Sequence, residues 1–81
     1  MKIQVLGTGC ARCKKLLENT AAAVRELGLD AEIEKVEEVR EIMKFKLLAT
    51  PGLAIDGEVK VAGRVPDVEQ MKAILQAAEA A

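Results

Sequence analysis

Two cysteines carry the most distinctive chemistry in this chain: Cys10 and Cys13, separated by Ala11 and Arg12. Thiols at this spacing can cycle between dithiol and disulfide by exchange with another sulfur. The same pair can offer two thiolates to copper(I). It can also form half of a four-thiolate zinc site whose other half comes from a second chain, or be two unreactive small residues. The sequence contains no histidine, which removes Cys-His catalysis and every histidine-containing metal site. In a compartment that keeps thiols reduced, two cysteines so close together would be an odd structural staple.

The position of the pair sharpens the redox reading. Residues 2 to 6 have the pattern of a short strand, bounded by Gly7-Thr8-Gly9. From Ala11 to Leu27 the period becomes helical, with Leu16, Leu17, Thr20, Ala21, Val24 and Leu27 on one face and Gly28 as a stop. Cys10 therefore stands where a strand ends and a helix begins. First-turn amides lack intrahelical acceptors and the helix dipole is positive there, so both favour a thiolate. Arg12, Lys14 and Lys15 add positive charge to the same end. Cys13 lies one turn in, expected to be less exposed and close enough to attack a mixed disulfide formed at Cys10.

The remaining pattern supplies the elements that position the pair. Residues 30 to 36, with Ala31, Ile33 and Val36 among charges, read as a second strand at a sheet edge. Residues 37 to 47 read as a second helix with Val39, Ile42, Met43 and Leu47 on one side, interrupted by Thr50-Pro51-Gly52. Leu53-Ala54-Ile55, Asp56-Gly57 and Val59-Lys60-Val61 form a hairpin signal, since Asp-Gly suits a two-residue turn. After the Gly63-Arg64-Val65-Pro66 loop, Asp67 to Gln70 opens a third helix in capping-box form. Its apolar face is Val68, Met71, Ile74, Leu75 and Ala78. The order β-α-β-α-β-β-α predicts a parallel first pair of strands, an antiparallel last pair, and a four-stranded mixed α/β sheet with helices on both faces. Residues 1–81 are read as one domain.

Composition narrows the function classes. The chain is 51% hydrophobic and 31% charged with a net charge of −1, the balance of a soluble globular protein. It has no basic stripe, and Phe45 is its one aromatic, so nucleic-acid binding is not supported. No apolar run approaches the roughly 18 residues of a membrane span. The apolar start, Ile3 to Leu6, is too short for a signal peptide, which predicts a cytoplasmic protein with no membrane partner. Met43 and Met71 read as core fillers. The acids Glu32, Glu34, Glu37, Glu38 and Glu41 read as a solvated edge, and Lys14, Lys15 and Arg64 as solvated charges.

With the cysteine pair and Thr50-Pro51 both in view, the chain resembles the thioredoxin-like superfamily. Within it, the chain is most similar to the small single-domain glutaredoxin-like or redox-active disulfide proteins. The resemblance spans the chain and rests on Ile3 through Cys13, on Thr50-Pro51, and on Gly63 through Pro66. It implies Cys10 as nucleophile, Cys13 as resolving thiol, and Pro51 as a cis-proline facing the disulfide. It also implies that Thr50 offers its backbone to a substrate strand and that Gly63 keeps the docking surface low. Arg12 and Lys14 stand as electrostatic tuners. Gly9 occupies the place where many thioredoxins carry Trp, and Ala-Arg stands in place of Gly-Pro between the cysteines. The first strand offers Lys2 and Gln4 where many relatives bury an acid.

The function implied is thiol–disulfide exchange with a disulfide in a protein or small thiol compound. A reductase or glutathione-type donor would re-reduce the pair, and no cofactor is called for. Two other readings remain open from the residues: a soft-metal carrier using the same cysteines, and a non-catalytic adaptor. A ferredoxin-like metal carrier would run β-α-β-β-α-β and end in a strand, whereas this pattern ends in a helix.

Overall fold

The structure is a computed structural model that describes residues 1–9, 11–47 and 49–80. Its elements are β1 (Lys2–Leu6), α1 (Ala11–Leu27), β2 (Glu32–Val36), α2 (Val39–Met43), β3 (Gly52–Ile55), β4 (Glu58–Ala62) and α3 (Val68–Ala80). The strands form one four-stranded sheet in the order β2-β1-β3-β4. β1 runs parallel to β2, with Ile3 opposite Ile33 and Leu6 opposite Val36. β3 runs antiparallel to β1, with Val5 opposite Leu53, and antiparallel to β4. This is the mixed α/β sheet expected from the sequence.

The alternation of side chains along the strands divides the core in two. On one face Ile3, Val5, Leu53, Ile55 and Val61 pack with Leu16 and Ala23 of α1 and with Met71 and Leu75 of α3. On the other, Leu6, Val36 and Ala54 pack with Ile42 of α2, and Phe45 and Leu47 close over them. β3 lies centrally and is buried along its whole length. Both edge strands keep exposed charges, which discourages further strand pairing.

Local chemistry explains the connections. Asp56 (φ 50) and Gly57 (φ 86) both adopt positive φ, as a two-residue turn joining twisted strands requires. The capping box at the start of α3 is formed in full. Gln70 N donates to Asp67 Oδ1 at 2.8 Å, and Asp67 N donates to Gln70 Oε1 at 3.0 Å. Asn19, buried on α1, donates from Nδ2 to the Pro66 carbonyl at 2.9 Å and so ties α1 to the loop that precedes α3.

Three expectations need correction. β2 begins at Glu32, not at residue 30. α2 is only five residues long rather than spanning 37–47, and a turn follows it with Lys46 at φ 55. A helix of little more than one turn presents a single inward position, which Ile42 takes. Met43 is therefore no core filler: it is 68% exposed, and Val39 is 57% exposed. Met71, by contrast, is fully buried. No helix among the described residues is long and apolar enough to cross a membrane.

Candidate functional site

The site is built where β1 ends beneath the first turn of α1. The β1–β2 ladder continues one step past the strand, as Gly7 N donates to the Val36 carbonyl at 3.0 Å. Thr8 and Gly9 then turn outward, Gly9 with φ 84. Cys13, in the first turn of α1, is 6% exposed. It sits directly above Gly7, so closely that a Cβ added there would strike the Cys13 sulfur and lie 3.2 Å from its Cβ. The same added atom would lie 3.8 Å from the Pro51 Cβ. Gly7 is thus a floor on which a thiol and a proline ring meet. Cys10, expected to be the attacking thiol, lies outside the described residues.

Pro51 follows a cis Thr50–Pro51 peptide bond and is buried, while Thr50 is exposed. The Pro51 carbonyl accepts a hydrogen bond from Gly63 N at 2.8 Å. Gly63 has φ 76, and a Cβ there would come within 2.9 Å of the Ala49 Cβ. Only glycine meets both demands at low cost. Arg12 closes the arrangement from the α1 side, donating from Nη2 to the Gly63 carbonyl at 3.0 Å. Cys13, Arg12, Pro51 and Gly63, distant in sequence, are thereby brought to one end of the sheet.

Lys14 points to a different neighbourhood. A cleft of about 150 Å³ runs beside Cys13 between α1 and the ends of β1 and β2, lined by Val5, Gly7, Gly9, Lys14, Leu17, Lys35 and Glu37. Across it Lys35 Nζ and Glu37 Oε1 pair at 3.3 Å, both more than half exposed. Such a pair contributes little stability. The first turn of α1 contains no acid, so the helix dipole together with Arg12 and Lys14 favours negative charge at this end. Among the described residues no group of three or more histidine, cysteine or acidic side chains could hold a metal. The acidic run instead forms scattered surface pairs, Glu34 with Lys2 and Glu41 with Lys44 among them.

Sequence reasoning passed over Gly7, Lys35 and Glu37. Gly7 was legible only as the end of a strand. Lys35 and Glu37 looked like members of a charged edge, and nothing in their spacing points toward Cys13.

A buried first-turn thiol, a facing cis-proline and a glycine-capped hairpin on a β2-β1-β3-β4 sheet define the thioredoxin-like class of α/β proteins. Residues 1–76 match the thioredoxin domain family, and the chain belongs to that family. It is 55% identical over 75 residues to a thioredoxin of Methanothermobacter thermautotrophicus, covering 93% of this chain and 97% of that protein. A thioredoxin of Methanocaldococcus jannaschii is 46% identical over 70 residues, covering 86% of this chain and 80% of the relative.

Proposed function

We propose that this protein is a thiol–disulfide oxidoreductase in which Cys10 attacks and Cys13 resolves. The observation that carries the reading is the seat of Cys13: buried, above Gly7, and facing the Pro51 ring. A thiol held there is shielded from outside disulfides while lying only three positions along the chain from Cys10. The family membership and its thioredoxin relatives support the same reading.

The exchange runs in two displacements. The Cys10 thiolate attacks one sulfur of the substrate disulfide, forming a mixed disulfide and expelling the other substrate sulfur as a thiolate that takes up a proton. Cys13, after losing its proton, attacks the Cys10 sulfur. This closes the Cys10–Cys13 disulfide and releases the second substrate thiol. Two electrons and two protons pass from the protein dithiol to the substrate. Thr50, exposed beside Pro51, offers backbone for pairing with an extended substrate segment, and Gly63 leaves room for that segment. The substrate is a disulfide in a protein or small thiol compound, and a reductase or glutathione-type donor restores the dithiol. A cytoplasmic setting suits a pair that must be re-reduced.

Mass spectrometry tests the pair directly. Mild oxidation should remove two hydrogens from the monomer and dithiothreitol should restore them; oxidation that yields only intermolecular species overturns the reading. Cys13→Ser should accumulate mixed disulfides on Cys10 in a cell lysate, and Cys10→Ser should not. A titration of the reduced protein with copper(I) or zinc tests the carrier reading, which the second helix between β2 and β3 disfavours.

A further inference from the structure

We infer that Arg12 is a specificity-determining residue that favours protein substrates carrying an aspartate or glutamate beside the cysteine of their disulfide. The inference rests on the exchange reading above and names the substrate class of that site.

Arg12 is exposed on α1, yet its guanidinium does not trail into solvent. Nη2 donates to the Gly63 carbonyl at 3.0 Å. Gly63 N in turn donates to the Pro51 carbonyl at 2.8 Å. The side chain therefore bridges the first turn of α1 to the loop beyond β4, across the end of the sheet where Pro51 and Thr50 lie. A substrate segment that approaches Cys13 alongside Pro51 must pass this cation. A guanidinium has five N–H donors in a planar fork, and among the described residues Arg12 spends one. The others make no bond to another described residue and can meet a carboxylate, and the hydrogen bond to Gly63 fixes them in place before the substrate arrives. Pre-ordering lowers the entropic cost of that contact, and a fork matches a carboxylate better than an ammonium does.

The charge around the site agrees. The first turn of α1 has no acid. Arg12, Lys14 and Arg64 have no ion-pair partner among the described residues, while Lys15 pairs with Glu18 on the same helix and Lys35 with Glu37 across the cleft beside Cys13. The chain as a whole carries −1, so attraction for an acidic segment rests on Arg12, Lys14 and Arg64 and not on net charge. A local excess of this kind speeds encounter with acidic segments and weakens with salt.

Steady-state reduction of peptide disulfides that differ only in the residue beside the cysteine, with reduced glutathione regenerating the dithiol and its uncatalysed rate subtracted, tests this. With wild type, kcat/KM should be about three- to tenfold higher for the Glu peptide than for the Gln peptide, and lowest for Lys. The difference should lie mainly in KM and shrink at high ionic strength. Arg12→Gln should bring the Glu/Gln ratio close to one, and Arg12→Lys should retain part of it. A wild-type ratio of one overturns the inference. So does an Arg12→Gln variant that loses rate equally on all the peptides, because that marks Arg12 as a brace for the Gly63 loop alone. If wild type reduces none of the peptides, the exchange reading falls. The same peptides with serine in place of cysteine, titrated and followed by NMR, then still read the carboxylate preference: tighter binding of the Glu peptide that Arg12→Gln abolishes sustains it, and equal binding overturns it.

Discussion

A single methyl group placed on Gly7 would occupy the space that holds the Cys13 sulfur. Gly7 is buried between β1 and α1, so the strand cannot retreat to make room. Either the first turn of α1 lifts or Cys13 turns toward another rotamer. Overpacking of this kind costs about 1–3 kcal/mol, and Gly7→Ala should lower the denaturant midpoint accordingly. In the proposed exchange it should also lengthen the life of the mixed disulfide on Cys10, since the Cys13 sulfur no longer sits in its seat; rapid-quench trapping measures that directly. A variant of normal stability and normal resolving rate would show that Cys13 does not depend on this floor. The contrast between Gly7 and the cysteines explains what could be read in advance. Cys10 and Cys13 announce themselves because thiols are rare and their spacing has few uses. A glycine required for close approach shows itself only through what is missing, and in the sequence Gly7 is indistinguishable from a residue that merely ends a strand.

The elements differ in how firmly their own sequences specify them. α3 has a complete N-terminal signal, and the structure contains both of its hydrogen bonds. Asp67→Ala should therefore cost about 0.5–2 kcal/mol, read by thermal or urea unfolding, while the cysteines keep their reactivity. Between α3 and α1 the polar link is Lys72, whose ammonium lies 3.4 Å from Glu26 of α1 and 3.5 Å from Glu69. The hydrogen bond to Glu26 and the charge of Glu69 raise the Lys72 pKa above 10.5. A raised lysine pKa contributes stability that is fully present below 10.5 and lost as pH climbs through the folded value. Wild type should thus lose slightly more stability than Lys72→Met between pH 9 and about 11; identical losses would show that the contact is not coupled to folding. α2 lacked such local instructions. Its apolar spacing over 37–47 is helical in period, but Glu38 at its N-cap makes no side-chain cap. The helix closes after Met43 because the chain must turn at Lys46 to bring Leu47 over Gly52 and deliver Pro51 to the site. A periodicity count senses neither the missing cap nor that tertiary demand.

At the scale of the whole molecule the two sides of the sheet are unequal, and the inequality bears on function. Two long helices and nine buried residues share one core cluster on the α1–α3 side. On the other side four buried residues gather around a five-residue helix. α2 leaves part of that face open, as a hollow of about 620 Å³ bounded by Gln4, Glu34, Phe45 and Val59. Regions with few buried contacts open at lower free energy than the core. Amides of α2 and the following turn should therefore exchange with deuterium well before those of β1, β3 and α1, which should exchange only on global unfolding. The α2 side nonetheless reaches the site, because Leu47 packs on Gly52 next to Pro51. Ile42→Ala removes the helix's buried anchor and should cost about 2–4 kcal/mol if the cluster does not collapse. Much of that loss should be local: faster exchange in residues 39–47 with little change in β1. The functional signature should follow the same division. Loosening α2 disturbs the loop that presents Thr50 and Pro51, whereas Cys13 is seated by β1 and α1. Ile42→Ala should raise KM for a disulfide peptide more than it lowers the rate of internal Cys10–Cys13 closure. If closure slows as much as docking weakens, the two faces of the sheet act as one cooperative unit, and the division drawn from their packing fails.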